Sequence, residues 1–319
     1  MLILSIESSC DETSAAVTDC RTVRSNIIAS QTDIHRVYGG VVPEIASRAH
    51  TEAISRITYE SLREADITMN DINAVAVTYT PGLIGALLVG VNFAKALAFA
   101  HSKPLVAVDH ILGHVASNYI SHAGLEPPFT AFVVSGGHTS LIEMTSYTEY
   151  TVLGRTRDDA MGEAFDKVAR VMGLPYPGGV EMDRLAALGD PYAIKFPSAA
   201  LNDGTNDFSF SGLKTAVINY IHNIEQKGQT YSREDVAASF TKTVTDSIIK
   251  RLDGLCVEKL AVAGGVSANS HIRKALERYE NVYMPPLNLC GDNAAMIGVQ
   301  AYYNAKSGYF AQTNLNAVV

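Results

Sequence analysis

A strand, a polar loop and a second strand occur twice in this chain, and this repeat limits the folds that are possible. The first copy occupies residues 2–17 and the second residues 129–144. Short β-rich runs that flank a tight polar loop are typical of hairpins. Residue identity between the two copies is low. The repeat therefore indicates a duplicated architecture, with one hairpin opening each half.

Strand and helix patterns alternate after the first hairpin. Residues 73–78 and 105–108 are short apolar runs that predict buried strands. Residues 82–100 form the longest apolar stretch, but Asn92 and Lys95 interrupt it, so we expect a buried helix and not a membrane span. This alternation predicts an α/β fold with mixed sheets, and a chain of 319 residues is long enough for two domains.

Composition excludes several classes of protein. Hydrophobic residues make up 47% of the chain and charged residues 18%, as in folded globular proteins. The four cysteines form no C-x2-C pair, which argues against a disulfide framework or a thiolate metal site and favours a reducing cytoplasm. No signal peptide is expected at the amino terminus. A net charge of −8 means that a nucleic-acid substrate would need a local basic patch or a partner protein.

Two histidines four residues apart suggest a metal site. His110 and His114 follow an apolar strand, and their spacing places both on one face of a helix. The alternative is a pair of unrelated histidines on a helix surface. Asp292 precedes a helix of small residues. It is either the N-cap of that helix or the oxygen ligand that completes the site.

Three glycine loops predict a site for a phosphate or a nucleotide. Residues 135–137 follow a strand, residues 177–179 lie between Asp166 and Asp183, and residues 264–269 run from a strand into a helix that begins near residue 270. Bare backbone and helix N-termini bind phosphate, and a nearby carboxylate can bind ribose hydroxyls. Plain turns and solvated helix faces are the alternatives.

Two acids in the first polar loop need an explanation. Asp11 and Glu12 would lie beside a bound anion if this loop held one, so they require a metal, another cation or a role in proton transfer. A further helix is expected to open at residues 158–167.

These motifs resemble the TsaD (Gcp) family of tRNA N6-adenosine threonylcarbamoyltransferases nearly from end to end. The matching motifs are residues 7–13, 38–44, 46–50, 81–90, 110–114, 135–139, 162–167, 176–179, 210–214, 264–269 and 292–293. The resemblance implies an actin, sugar-kinase and Hsp70 type (ASKHA) fold made of two RNase H-like lobes. One lobe would span residues 1–108, completed by residues 295–319, and the other residues 109–294.

The resemblance also implies an activity and its partners. It implies transfer of threonylcarbamoyl from threonylcarbamoyl-AMP to N6 of adenosine 37 in tRNAs that read codons beginning with A, with release of AMP. It implies helper proteins of the TsaB and TsaE type, a cytoplasmic location and no membrane.

Site residues carry over position by position. The metal ligands of the family match His110, His114 and Asp292, which would hold one Fe²⁺ or Zn²⁺. The positions that hold the adenylate match Val133, Val134, Ser135, Gly136, Gly137, Asp166, Gly179, Asp183 and Asn269. By location alone, Asp11 or Glu12 is the candidate acceptor of the amine proton.

The chain departs from the family pattern at three positions. Thr80 stands where glycine is usual, and Asp109 and Leu112 replace the asparagine and glutamate of the histidine motif. Leu112 places in doubt any mechanism that needs a carboxylate there.

Two other enzyme classes share some of these features. A zincin metallopeptidase has glutamate directly after its first histidine, whereas this chain has Ile111. An ATP-dependent sugar kinase or chaperone-like ATPase would share the fold. Such an enzyme would release ADP and has no reason to carry a histidine-pair metal site.

Overall fold

The computed structural model describes all residues, 1–319, in two compact units. Unit 1 comprises Met1–Pro128, Met144–Glu149 and Pro285–Val319, and unit 2 comprises Phe129–Glu143 and Tyr150–Met284. Helix 110–121 and Asp292, which the resemblance places in the second lobe, lie in unit 1. The boundaries of the duplicated lobes stay a prediction.

Ten strands and ten α-helices make up the fold. In chain order the strands are β1 Leu2–Glu7, β2 Glu12–Asp19, β3 Thr22–Ser30, β4 Ala74–Thr80, β5 Leu105–Asp109, β6 Phe129–Val134, β7 Thr139–Met144, β8 Tyr150–Arg155, β9 Leu260–Ala263 and β10 Val282–Tyr283. The helices are α1 Thr32–Arg36, α2 Pro43–Glu64, α3 Ile84–Ala100, α4 His110–Ser121, α5 Met161–Val171, α6 Gly178–Ala186, α7 Phe210–Gln226, α8 Arg233–Gly254, α9 Ser270–Leu276 and α10 Ala294–Lys306. Short 3₁₀ turns span Gly265–Ala268 and Leu287–Leu289.

The two sheets have the same strand order, which confirms the predicted duplication. The first sheet has the order β3-β2-β1-β4-β5, and the second, read from its β8 edge, has the order β8-β7-β6-β9-β10. In each sheet, three strands that are consecutive in the sequence lie side by side, and two later strands extend the sheet beside the first of them. These later strands run parallel to that first strand: β4 and β5 are parallel to β1, and β9 and β10 are parallel to β6. The α/β class with mixed sheets is therefore confirmed.

Alternating residues of the first sheet pack against different helices. Val75 and Val77 of β4 join a core with apolar residues of α2 and α3, whereas Ala74 and Ala76 join a core with Met296 and its neighbours in α10. Successive residues of a strand point to opposite faces of the sheet, and helices cover both faces here, so both sets of side chains are buried. Full burial of each valine stabilises the fold by about 1.5–3 kcal/mol. The predicted strand at 73–78 and buried helix at 82–100 are confirmed.

Unit 2 has a core of its own, which is rich in phenylalanine. Phe132 of β6 and Val262 of β9 lie in this core with side chains of α5 to α9. Phe165 of α5 packs edge-to-face on Phe240 of α8 with ring centroids 4.9 Å apart. This core fixes the ends of β6 and β9, where the glycine loops begin.

None of the ten helices has the length together with the apolarity that is needed to cross a membrane.

Candidate functional site

The histidine pair lies in the first turns of α4. The Asp109 carboxylate caps this helix, because its Oδ1 accepts hydrogen bonds from the amides of Ile111 (2.7 Å) and Leu112 (3.2 Å). His110 and His114 are buried, with ring centroids 4.5 Å apart. The predicted placement of both histidines on one helix face is confirmed.

Asp292 lies against both histidines. Its Oδ1 is 3.1 Å from Nε2 of His114 and 3.5 Å from Nε2 of His110. One ligand atom from each of the three residues lies within 4.8 Å of the others. Asp292 is not the N-cap of α10, because Asn293 Oδ1 accepts the hydrogen bond from the Met296 amide. The capping alternative for Asp292 is therefore wrong.

Glu7 orients the first histidine, and the sequence interpretation missed this residue. Its buried carboxylate accepts hydrogen bonds from the Thr78 hydroxyl (2.5 Å) and the Ser9 amide (2.5 Å), and it lies 3.0 Å from Nδ1 of His110. A carboxylate takes the proton-bearing ring nitrogen, which directs Nε2 of His110 towards Asp292. The motif at residues 7–13 contains Glu7, but only the fold brings it to α4.

The donor set of this cluster fits a cation. Burial by itself would lower the pKa of His110, but Glu7 and Asp292 raise it well above the ordinary value. Burial alone would raise the pKa of Asp292, yet His110 and His114 hold it well below the ordinary value. Nδ1 of His114 is buried without a hydrogen bond, and its Nε2 faces Asp292. The Asp292 carboxylate and the imidazoles of His110 and His114 therefore surround a place that favours positive charge, and Glu7 adds negative charge behind His110.

The two acids of the first loop also lie in unit 1. Asp11 is half-buried beside the Cys10 thiol, whose pKa is raised well above its ordinary value by burial and then by Asp11. Glu12 opens β2, and its Oε1 accepts a hydrogen bond from the Ser30 hydroxyl at 2.7 Å. Its Oε2 is buried without a partner. Burial raises the pKa of Glu12 to about 7. Glu12 therefore exchanges a proton near neutral pH.

Three of the predicted adenylate residues, Ser135, Asp166 and Asp183, lie in one series of contacts in unit 2. The Gly162 amide at the start of α5 donates to the Ser135 carbonyl (3.2 Å), and Asp166 Oδ1 accepts from the Gly178 amide (2.7 Å). Asp183 Oδ1 in turn accepts from the Ser270 amide at 3.0 Å. Loop 135–138, α5, α6 and α9 are thereby joined in series.

Strands β6 and β9 bring the remaining residues to the same edge. They pair in parallel, so Val133 and Val134 end beside Gly264 and the turn that leads to Asn269. A Cβ on Gly264, whose φ is +93°, would lie 2.3 Å from the Val134 carbonyl oxygen. Only glycine allows this approach. Asn269 caps α9 by accepting from the Ile272 amide at 3.0 Å, which confirms the predicted helix start.

Four glycines along this contact chain border open space. They are Gly136, Gly137, Gly179 and Gly265, and an added Cβ on any of them would meet no atom within 4 Å. None has a positive φ, so neither backbone strain nor packing inside the protein requires glycine there. Bare backbone facing open space permits the close approach of a ligand. We call these four residues the glycine cradle.

The structure explains one of the three departures from the family pattern. Asp109 acts as an N-cap, and asparagine caps equally well, so the exchange preserves the helix start. Leu112 is buried within α4 and offers no ligand atom. The structure gives no account of Thr80, which ends β4.

Comparison with solved structures supports the fold. Component A of (R)-2-hydroxyglutaryl-CoA dehydratase from Acidaminococcus fermentans superposes with a TM-score of 0.58 at 14% identity, over 96% of this chain and 98% of its own. Full-length HypF, in a phosphate- and nucleotide-bound form, gives 0.61 at 15% identity over 96% of this chain and 46% of its own. These likenesses concern the fold alone. They confirm the predicted ASKHA class.

Sequence comparison gives the family. The profile of TsaD, tRNA N6-adenosine threonylcarbamoyltransferase, matches residues 22–299. A relative of that name from Clostridium botulinum is 54% identical over 99% of this chain and 96% of its own length. Another, from Clostridium perfringens, is 52% identical over the same shares. Together with the histidine–aspartate cluster and the glycine cradle, these matches establish that the chain belongs to the TsaD family of tRNA N6-adenosine threonylcarbamoyltransferases.

Proposed function

We propose that the chain transfers a threonylcarbamoyl group from threonylcarbamoyl-AMP to N6 of adenosine 37 in tRNAs that read codons beginning with A. The adenylate is a mixed anhydride, so the new C–N bond forms as the bond to phosphate breaks and AMP leaves. The observation that carries the proposal is the glycine cradle, since its four open glycines suit a nucleotide and serve no packing need of the protein itself.

Unit 2 is proposed to hold the adenylate. The backbone from Val133 to Gly137 and at Gly179 would approach its phosphate and sugar, and Asp166 and Asp183 would accept hydrogen bonds from ribose hydroxyls. This role is supported by the backbone amide that already orients each carboxylate, that of Gly178 for Asp166 and that of Ser270 for Asp183. Asn269 would present its amide group from the start of α9.

Unit 1 is proposed to hold one divalent metal, Fe²⁺ or Zn²⁺, through His110, His114 and Asp292. When bound there, the metal supplies Lewis-acid stabilisation of negative charge on a substrate oxygen. Glu7 fixes the ring of His110 and keeps its Nε2 directed at the ligand cluster.

Glu12 is proposed to accept the proton that N6 of adenosine loses as the C–N bond forms. Its side chain is half-buried, and its pKa of about 7 balances availability of the carboxylate with basicity. Asp11 is the second candidate for this role, and its charge favours proton uptake by its neighbour Glu12.

The chain is proposed to act with partners in the cytoplasm. Its net charge of −8 gives little attraction for tRNA, so helper proteins of the TsaB and TsaE type are expected to supply binding. The lobe boundaries 1–108 with 295–319, and 109–294, belong to the same proposal.

A reconstituted transfer assay tests the function. The chain, its helpers, threonylcarbamoyl-AMP and a tRNA with adenosine at position 37 are incubated, and modified nucleoside and AMP are quantified. We expect both in equal amounts, and neither with a matched tRNA that carries guanosine 37. Release of ADP from ATP without nucleoside modification would instead support the kinase-like alternative. Appreciable repeated turnover by the chain without helpers would contradict the proposed dependence on partners.

A further inference from the structure

Four buried polar side chains of unit 1 form a hydrogen-bonded network behind the first loop. They are Thr13, Gln31, His35 and His50, of which none is more than 3% exposed. His50 Nε2 lies 2.9 Å from the Cys10 carbonyl oxygen, and its Nδ1 lies 2.8 Å from the Thr13 hydroxyl and 3.3 Å from Gln31 Nε2. Gln31 Oε1 lies 3.1 Å from His35 Nε2. Neither the metal cluster nor the glycine cradle includes any of them.

The chemistry of these partners determines where the protons lie. A carbonyl oxygen only accepts, so His50 donates through Nε2–H to Cys10. In the neutral ring Nδ1 then accepts, and the Thr13 hydroxyl and the Gln31 amide both donate to it. Gln31 is left with its oxygen to accept from His35, whose own Nδ1 accepts from the Val42 amide at 3.3 Å. Every group has a partner of the right kind.

The network fixes the peptide groups on both sides of Asp11. His50 holds the carbonyl of Cys10, which precedes Asp11, and the Gln31 backbone amide donates to the carbonyl of Asp11 itself at 3.1 Å. The direction of the Asp11 and Glu12 side chains follows from these two peptide planes. Burial lowers the pKa of His50, which agrees with a neutral ring that accepts at Nδ1.

We propose that His50, as the Nε2–H tautomer, is a positioning residue that sets the orientation of the Asp11–Glu12 pair for transfer. This inference rests on the proposed function and extends it. His50 touches no substrate. It acts through the Cys10 carbonyl. A displacement of reacting groups by about 1 Å can change a rate by about 100-fold.

Kinetics of matched variants test the proposal. His50→Leu removes all three hydrogen bonds of the ring at similar volume, and His50→Gln keeps a donor for the Cys10 carbonyl. Ser61→Ala is the control, since it removes another buried hydrogen bond of α2, the one to Ser25 at 2.8 Å. We expect kcat to fall about 10–100-fold in His50→Leu with KM for the adenylate unchanged, to recover largely in His50→Gln and to stay at the wild-type level in Ser61→Ala.

Other results would overturn the inference. A folded His50→Leu with wild-type kcat would do so, as would an equal loss of kcat in Ser61→Ala. If His50→Leu does not fold, Thr13→Val takes its place, because it removes one donor to His50 Nδ1 and leaves the hydrogen bond to the Cys10 carbonyl. We expect a smaller fall in kcat than for His50→Leu. An unchanged kcat would count against the proposal.

A measurement without catalysis separates this inference from the proposed function. Nitrogen NMR of the His50 ring in the wild-type protein should give a protonated Nε2 and an unprotonated Nδ1. The opposite tautomer would overturn the network even if transfer occurs. Absence of transfer with the expected tautomer would count against the proposed function and leave the network standing.

Discussion

Glu12→Gln should make the folded protein more stable at alkaline pH. Burial raises the pKa of Glu12 from 4.5 to about 7, so the charged carboxylate is disfavoured in the folded state. A shift of this size corresponds to at most about 3 kcal/mol. Glutamine resembles the neutral acid and can still accept from the Ser30 hydroxyl. It therefore removes the penalty that the wild-type protein has once Glu12 ionises.

The sign of the pH dependence follows from proton binding. Between pH 4.5 and about 7 the folded state binds the Glu12 proton and the unfolded state does not. The contribution of Glu12 to stability is therefore full below pH 4.5 and is lost as the pH rises through about 7. The variant and the wild-type protein should be nearly equally stable at low pH and diverge as the pH rises.

Urea unfolding at about pH 5 and about pH 8 measures this difference. Glu52→Gln, at an exposed position of α2, is the matched control for the loss of a carboxylate. In transfer assays, the wild-type rate should rise with pH through about 7. The transfer rate of Glu12→Gln should be lower than that of the wild-type protein by about 100-fold or more. Equal stability of Glu12→Gln and wild type at both pH values would refute the reasoning about burial.

Substitutions at four further positions test the two sites. Asp292→Asn should lower metal affinity by at least about 10-fold with the fold intact; full metal occupancy by elemental analysis would remove the three-ligand site. Asn269→Ala should weaken binding of an adenylate analogue by about 1–2 kcal/mol and also remove the cap of α9, whereas Asn269→Asp keeps the cap. Calorimetry measures the affinity and thermal melts measure the stability, and unchanged affinity in both variants would leave Asn269 with a capping role alone. Gly264→Ala should destabilise unit 2 by at least about 2 kcal/mol, because its Cβ would lie 2.3 Å from the Val134 carbonyl oxygen at a φ of +93°. Gly265→Ala, which faces open space, should change stability by less than about 0.5 kcal/mol and reduce binding of the analogue; an equal loss of stability would contradict this difference.

Local patterns in the sequence were sufficient for much of the fold. The strand–loop–strand repeat, the buried strand β4 and the helix after residue 82 all follow from periodicity over a few neighbouring residues. The spacing of His110 and His114 placed both on one helix face for the same reason. Asn269 was recognisable as a helix start because capping is a local interaction.

One helix began later than the sequence suggested, for a tertiary reason. The run from Asp158 predicted a helix start, but α5 begins at Met161. The Asp158 carboxylate instead accepts from the amides of Phe210 (2.8 Å) and Ser211 (3.1 Å) and so caps α7, about fifty residues away. Local propensity contains no information about that partner.

The site itself was decided by contacts between distant parts of the chain. Asp292 was a candidate ligand from the sequence, but only folding brings it to 3.1 Å from His114 and assigns the cap of α10 to Asn293. Glu7 lies 103 residues from the histidine that it orients. Such pairs depend on which strands become neighbours in the sheet, and sheet pairing is set by burial of the whole core, not by the residues beside either partner.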